Sequence, residues 1–401
     1  MNAVMIALKS VRQHWVSTAI TALSIALAGG LWMSVWSIRD QANRAFEATD
    51  MGFDAVLGAR GSALQLTLNA VFHLEASPGN LGYADYETIR DDRRVAAAYP
   101  IAVGDNLKGY RIVGTLPELI LEHEYREGKG FEFQGAGRPF EASKREAVMG
   151  AMVAKRLGLW VGDTFQPYHG LDYDPAEKHD DLYTIVGVLE PTGTPADRVI
   201  WIPVLGVQVM DGHAPESRED VSAVLLRLKN PMAGHQLSLL YNKQGDRLTF
   251  AWPIASIIAA LFAKISWFDQ ALALIAGLVA FVAVASVLAS VYNTIEGRKR
   301  DVAIMRALGA PRRAIVGFVT MECALIAGIG SVLAYPIYLT LFVGVAGIVR
   351  SQTGVMLNVF TWNWALFWMP VLLVGLSAVM GLVPAWKAYQ TDVAKNLAPL
   401  S

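Results

Sequence analysis

Four long stretches of the chain are apolar and almost free of charge, a pattern that predicts membrane-spanning helices. A span needs about 20 mostly apolar residues, and each stretch is long enough. The third contains Pro336, which predicts a kinked helix, although this stretch could also hold a span followed by a re-entrant piece. We therefore expect four spans, at residues 15–38, 266–295, 314–349 and 362–386.

The first stretch could instead be a cleaved signal peptide, because Ala26-Leu27-Ala28 before Gly29 resembles a cleavage site. Two features favour a retained helix. Residues 1–14 alternate apolar with polar and basic positions, which predicts an amphipathic helix ahead of the span. The apolar run also continues past Gly29 to residue 38.

Residues 39–265, between the first two spans, interleave strand and helix patterns, which predicts a large mixed α+β domain. The predicted strands are 110–115, 183–189, 199–204 and 221–228, and the predicted helices are 83–92 and 151–159. The turn-rich residues 190–197 predict that the second and third strands pair as a hairpin. Residues 39–51 and 255–268 contain no helix breaker, so they could extend the adjacent spans as a stalk.

Composition supports a membrane protein with a large exported part. Hydrophobic residues make up 54% of the 401 residues and charged residues only 17%, whereas soluble domains have about 25% charged residues. This composition therefore argues against a wholly soluble protein. Residues 40–264 carry 30 acidic and 22 basic side chains, and the remainder carries 5 and 12. The net charge of the whole chain is −1, which does not indicate nucleic-acid binding. The single cysteine, Cys323, excludes a disulfide within the chain.

Lysine and arginine in the short loops predict the orientation, because cytoplasmic loops are enriched in them. Six lie within residues 296–313, whereas residues 350–361 contain only Arg350. We therefore expect the domain and residues 350–361 on the outer side. The cytoplasmic segments would be 1–14, 296–313 and the tail 387–401.

Metal-ligand residue types cluster in residues 168–181, with the sequence YHGLDYDPAEKHDD. The spacing matches no zinc motif, so an acidic solvated loop without a metal site is the simpler interpretation. The alternative is contact with a metal ion or metal chelate, for which His169, His179 and Asp180 are the candidate ligands.

Glu322 would lie within the third span, where a buried carboxylate is costly unless it is paired. It is therefore a candidate functional residue, and the alternative is an interfacial ion pair with Arg312 or Arg313. The sequence has no order of Ser, His and Asp and no pair of carboxylates that indicates catalysis, so we expect no enzyme activity. The glycines of residues 328–330 and 344–347 are typical of helix packing.

Residues 293–314, NTIEGRKRDVAIMRALGAPRRA, place charges before apolar residues at helical spacing. Gly309-Ala310-Pro311 then predicts a helix end. The pattern predicts a short amphipathic helix between two spans. Taken alone, it is typical of an anchor lying on anionic lipid headgroups.

The same stretch resembles a known family signature. Residues 298–310 are similar to the signature of FtsX-like permeases of the MacB-type ABC transporter superfamily, with Asp301-Val302 where that family usually has Glu-Ile. The other segments that resemble this family are 58–62, 64–68, 78–80, 148–163, 184–204 and 383–397. The resemblance covers nearly the whole chain, including the order of one span, a domain and three spans.

The resemblance implies that the helix within residues 296–313 docks onto a separate ATPase subunit, present in two copies, and transmits its movement. The coupling residues that it implies are Arg298, Arg300, Asp301, Ile304, Met305, Arg306, Leu308 and Gly309. ATP and Mg²⁺ would bind to that ATPase, because these 401 residues contain no G-x-x-x-x-G-K-[ST] phosphate loop. We expect no cofactor in this chain.

The resemblance also implies a bacterial inner-membrane permease that dimerises with itself or with a similar permease. It allows a periplasmic adaptor or binding protein as a further partner. Such a subunit would couple ATP hydrolysis to movement of the outer domain and to export or extraction of a substrate. Two other functions stay open, namely an FtsX-like regulator that switches a periplasmic partner without transport, and a membrane-anchored metal sensor or enzyme.

Overall fold

The structure is a computed structural model that describes residues 3–47, 51–210, 219–297, 299–307, 309–353, 358, 361 and 363–389. The chain divides into two compact units. One unit comprises Met1–Gln41, Ser266–Gly347 and Asn358–Ser401, and the other comprises Ala42–Ile265 and Ile348–Leu357.

The helices, in chain order, are α1 (Ala3–Gln13), α2 (Trp15–Glu47), α3 (Ala63–Ala70), α4 (Tyr83–Arg90), α5 (Pro117–Glu122), α6 (Ala151–Leu157), α7 (Val204–Gln208), α8 (Pro231–Leu239), α9 (Ile254–Gly297), α10 (Lys299–Ala307), α11 (Arg312–Thr353), α12 (Trp364–Met380) and α13 (Leu382–Tyr389). The strands are β1 (Ala55–Ala59), β2 (Leu81–Gly82), β3 (Val95–Leu107), β4 (Tyr110–Thr115), β5 (Glu124–Arg126), β6 (Lys129–Gly130), β7 (Glu146–Met149), β8 (Thr164–Phe165), β9 (Tyr168–His169), β10 (Tyr183–Val188), β11 (Ile200–Pro203), β12 (Asp220–Val221), β13 (Ala223–Leu228) and β14 (Leu248–Ala251).

The first unit is helical, and its long helices have the length and apolar composition of membrane spans. Among the described residues four stretches qualify, namely Trp15–Gln41, Gln270–Glu296, Arg313–Val349 and Trp364–Trp386. The predicted arrangement of one span, a large domain and three spans is therefore confirmed. The third span is one continuous helix, α11, with Pro336 inside it. The alternative of a re-entrant piece is wrong.

Small residues let α2 and α11 approach closely, as is typical of helices that pack in a membrane. A Cβ added to Gly30 would lie 2.6 Å from Cγ2 of Ile337, and one added to Gly330 would lie 2.7 Å from the carbonyl oxygen of Ala22. At Gly344 and Gly347, by contrast, an added Cβ would meet no described atom within 4 Å. An added Cβ at Gly328 would likewise meet no described atom within 4 Å. Among the described residues, the predicted packing role therefore holds at Gly330 and not at Gly328, Gly344 or Gly347.

The second unit is built on a mixed sheet with the strand order β14-β1-β13-β3-β4-β11-β7-β10-β8, and β9 pairs with β3 beside this path. The pairs β4–β11 and β7–β10 are parallel, and the other described pairs of this sheet are antiparallel. Two hydrophobic clusters cover its two faces. One contains residues of α4, α6, α7 and α8, and the other contains residues of α3 and α5, so the mixed α+β class is confirmed.

The predicted hairpin between residues 183–189 and 199–204 is wrong. β7 lies between β10 and β11, pairing parallel with the first and antiparallel with the second. The connection is therefore a wide loop, organised by the Asp197 carboxylate. That carboxylate accepts hydrogen bonds from the backbone N–H groups of Thr192 and Gly193, each at 2.9 Å.

Candidate functional site

The helix predicted to contact an ATPase is α10, which is short and lies between the long helices α9 and α11. Gly309 follows it with a φ of +91°, and its N–H donates to the carbonyl of Arg306 at 3.0 Å. Glycine favours this left-handed conformation after a helix. The sequence pattern of apolar residues followed by glycine therefore corresponds to a helix end at the predicted place.

The two sides of α10 differ in exposure. Val302 and Ala303 are buried, whereas 41% of Ile304 is exposed. Ala307, three residues after Ile304, is also exposed. Residues three apart lie on the same face of a helix, so α10 packs one side within the chain and presents an apolar side outward.

The remaining predicted coupling residues are only partly described. Arg298 and Leu308 lie outside the described residues, as do the side chains of Arg300, Asp301 and Met305. Arg306 is described and half-buried. Ile304 and Gly309 are therefore the predicted coupling residues with the fullest description.

Glu322 is buried in α11 and accepts a hydrogen bond from the hydroxyl of Ser10, on α1. This contact ties the amphipathic N-terminal helix to the third span. Ser10 could not be predicted as this partner, since nothing in the sequence near either residue relates the two. The predicted pairing of Glu322 with Arg312 or Arg313 stays a prediction, and the Arg312 side chain lies outside the described part of the chain.

Two of the three candidate metal ligands, His169 and His179, lie together in the structure, and Asp105 joins them. Asp105, His169 and His179 place one ligand atom each within 4.8 Å of one another. Asp180 is exposed, and its backbone carbonyl accepts a hydrogen bond from the side chain of Gln166 at 3.3 Å. Asp105 lies on β3, far from the histidines in sequence, so no spacing pattern could have indicated it.

Two further histidines of the domain, His73 and His123, are buried. Burial, reinforced by the nearby charges of Arg111 and Arg198, lowers the pKa of His73 to about 3. Burial also lowers the pKa of His123, which stacks on Phe53 with ring centroids 4.0 Å apart. These two imidazoles belong to the hydrophobic interior.

Comparison with protein families decides the identity of the chain. Residues 18–237 match the MacB-like periplasmic core domain, which is more than half of the chain. Residues 273–393 match the FtsX-like permease C-terminal family. The chain belongs to the MacB-type FtsX-like permeases. This family is a permease type associated with ABC transporters, and its members typically work with an ABC ATPase.

Comparison with individual proteins adds little to this assignment. This FtsX-like permease resembles the periplasmic region of MacB from Actinobacillus actinomycetemcomitans at 10% sequence identity. The match covers 53% of this chain and 94% of the other, with a TM-score of 0.35. A search of curated protein sequences finds no significant match. Family membership and the four apolar helices together make the permease a multi-pass membrane protein.

Proposed function

We propose that this chain is the permease subunit of an ABC transport complex. A separate ATPase would hydrolyse ATP, with its Mg²⁺, and α10 would pass the resulting movement to the large domain. That domain would then drive export or extraction of a substrate on the periplasmic side. The observation that carries the proposal is α10 itself, a short helix with an outward apolar face, in a chain that matches both family models.

The geometry of α10 suits mechanical coupling. Its buried face, Val302 and Ala303, anchors it within the chain, and long helices leave from both of its ends. A rigid helix held in this way would transmit a push from a partner instead of absorbing it. Ile304, which follows the basic residues 298–300 in the sequence, would supply the apolar contact around which a polar rim could form.

Charge supports the proposed orientation in the bacterial inner membrane. Residues 296–313 hold six of the basic residues outside the domain, and cytoplasmic loops are enriched in such residues. On this basis α10 and both termini would face the cytoplasm, where ATP is available. The acidic domain would face the periplasm.

The assembly would contain two ATPase subunits and two permeases, either two copies of this chain or this chain with a similar one. Two-fold closure of an ATPase dimer would then act on two α10 helices at once. A periplasmic adaptor or binding protein would contact the large domain.

The first test is a pull-down of the tagged chain from its native host in mild detergent, with co-purifying proteins identified by mass spectrometry. We expect a stoichiometric ATPase, and its absence in several detergents would contradict the proposal. ATPase activity of the purified complex then separates two functions. Stimulation by a transported substrate supports transport, whereas stimulation only by a periplasmic protein would indicate an FtsX-like regulator.

A further inference from the structure

Strand pairing brings Asp105 and His169 face to face. The two residues are direct partners in the antiparallel pair of β3 and β9. Side chains of directly opposed residues project to the same face of a sheet. The pairing of β3 with β4 shifts register between Val103 and Asp105, and such a bulge re-aims the side chains next to it.

His179 reaches the same place because the loop after β9 folds back on itself. The N–H of His169 donates to the carbonyl of Glu177 at 2.7 Å, and the N–H of His179 donates to the carbonyl of Pro167 at 2.9 Å. These two bonds close residues 167–179 into a narrow loop. The imidazoles of His169 and His179 consequently lie with ring centroids 5.5 Å apart and nearly perpendicular.

Asn106, the neighbour of Asp105 on β3, fixes the position of this loop. Its side chain is fully buried, and its amide nitrogen donates to the carbonyls of Gly170 and Asp172, each at 3.0 Å. The residues that carry the three side chains are therefore held by backbone bonds and by a buried amide. Such outer support is what gives a binding site a fixed geometry.

The separations suit a common metal ion. Asp105 Oδ1 lies 3.1 Å from His179 Nε2 and 3.6 Å from His169 Nδ1. Ligands at tetrahedral angles, about 2.0–2.1 Å from Zn²⁺, are separated by roughly 3.3 Å. These two distances differ from that value by about 0.2–0.3 Å, and all three ligand atoms lie within 4.8 Å of one another. Buried charged groups in proteins are paired or coordinate metal ions, and Asp105 is fully buried.

The side chains of the cluster differ in their exposure to solvent. The side chain of His179 is 5% exposed and that of His169 is 47% exposed. An ion bound here would be held from the inside by Asp105 and His179 and would be reached from solvent past His169. Three protein ligands with an open position are typical of sites that bind a water or an exchangeable ligand.

We propose that Asp105, His169 and His179 bind one divalent transition-metal ion of the Zn²⁺ class, with a fourth position open to water or an external ligand. Two imidazoles and one carboxylate suit Zn²⁺, Co²⁺, Ni²⁺ or Cu²⁺, whereas Ca²⁺ and Mg²⁺ prefer oxygen ligands. The site lies within the large domain and does not depend on the proposed coupling to an ATPase.

The competing explanation is a hydrogen-bonded network in which a proton occupies the place of the metal between His179 and Asp105. That arrangement would also satisfy the buried carboxylate, at the same 3.1 Å separation. The two explanations differ in one measurable property, which is stoichiometric metal binding that depends on His169. A network between His179 and Asp105 does not need the exposed imidazole.

The test uses the full-length chain in detergent, freed of metal with a chelator and titrated with ZnSO₄ in competition with a chromogenic chelator. We expect one Zn²⁺ per chain. CoCl₂ should give the visible absorption of a four-coordinate Co²⁺ site. His169→Ala changes a half-exposed side chain, so it should fold normally and should weaken Zn²⁺ binding at least tenfold.

Two further variants complete the test. Asp105→Asn keeps the size of the side chain and removes its charge, and it should also weaken binding at least tenfold. His235→Ala removes an exposed histidine of the same domain and should leave binding unchanged. Circular dichroism checks that each variant is folded. Either the absence of stoichiometric Zn²⁺ or Co²⁺ binding, or binding unaffected by His169→Ala, overturns the proposal and leaves the hydrogen-bonded network.

Discussion

The hydroxyl of Ser10 donates a hydrogen bond to the carboxylate of Glu322, which is 312 residues away in sequence. Both residues are buried, with 2% and 3% of their surface exposed. The bond joins an amphipathic helix to a membrane span, at a carboxylate that would be costly to bury without partners. The N-terminal helix is therefore part of the packed helical unit.

Removing this hydrogen bond should destabilise the helical unit. Ser10→Ala deletes a bond to a carboxylate, and hydrogen bonds to charged groups contribute about 1.5–3 kcal/mol. We expect a lower unfolding midpoint for the detergent-solubilised chain. Ser34→Ala is a matched control, because the similarly buried Ser34 hydroxyl bonds to neutral carbonyls, those of Gly30 at 2.7 Å and of Tyr338 at 3.4 Å. Equal losses in both variants would contradict a special role for the Ser10–Glu322 bond.

The outward face of α10 should carry the contact with the ATPase. Ile304→Asp places a charge where an apolar contact is proposed, and burying such a side chain is worth about 1.5–3 kcal/mol. The variant should insert and fold normally but bind the ATPase roughly 10–100-fold more weakly, as measured by co-purification and ATPase stimulation. Ile304→Leu keeps the apolar surface and should behave like the wild type. Normal co-purification and normal ATPase stimulation in Ile304→Asp would show that this face of α10 does not contact the ATPase.

Gly150 should tolerate no side chain. A Cβ at this position would lie 2.4 Å from the carbonyl oxygen of Ala196 and 2.5 Å from the backbone of Asp197. Gly150→Ala should therefore destabilise the domain by about 1–3 kcal/mol, the usual cost of overpacking. The measurement is the unfolding midpoint of the domain.

Gly82 provides the control for this variant. It also precedes a helix and has nearly the same backbone angles as Gly150. The nearest atom to an added Cβ is Oδ2 of Asp85, at 3.8 Å. Gly82→Ala should therefore cost much less. A comparable loss there would mean that backbone freedom, and not the contact with the 190–197 loop, decides the effect at Gly150.

His73 should make the stability of the domain depend on pH in the acidic range. Its pKa falls from 6.5 to about 3 on folding, so the unfolded chain binds a proton more readily between these values. The stabilising contribution of the neutral imidazole is complete above pH 6.5 and is lost as the pH falls toward 3. The slope from this one group is about 1.4 kcal/mol per pH unit.

His73→Asn should therefore flatten the dependence of the unfolding midpoint on pH between 6.5 and 4. Asparagine suits the position because the φ of His73 is +55°, a conformation that asparagine tolerates. Unfolding can be followed by tryptophan fluorescence, since Trp201 lies edge-on to His73 with ring centroids 5.7 Å apart. His235→Asn, at an exposed position, is the control. An unchanged slope in His73→Asn would show that other groups cause the pH dependence.

Elements with a strong local pattern could be predicted from the sequence. The strand at 110–115 has the predicted bounds, because its aromatic and β-branched residues lie between Gly109 and Pro117. The helix at 83–92 begins at the predicted residue. The spans follow from length and hydropathy alone, since the membrane imposes both.

Features that depend on distant pairing could not be predicted. β3 begins with VAAAYP, which has little strand preference, and it is held by pairing with β4, β9 and β13. The four residues of β7 are too few to reveal that it separates β10 from β11. The same limit applied to the metal-ligand cluster. Residue type selected the two histidines, and only the pairing of β3 with β9 supplied Asp105.

The position of β1 in the sheet limits when the large domain can fold during synthesis. β1 pairs with β13 on one edge and with β14 on the other. The backbone of residues 55–59 therefore cannot be paired on both edges until residues 223–251 have been synthesised. Throughout that interval the growing chain carries an unpaired strand edge, which is a template for aggregation. Closing so long a loop is also entropically costly and slow. A nascent chain stalled before residue 223 should therefore be a substrate for chaperones and proteases, however well its first span has inserted.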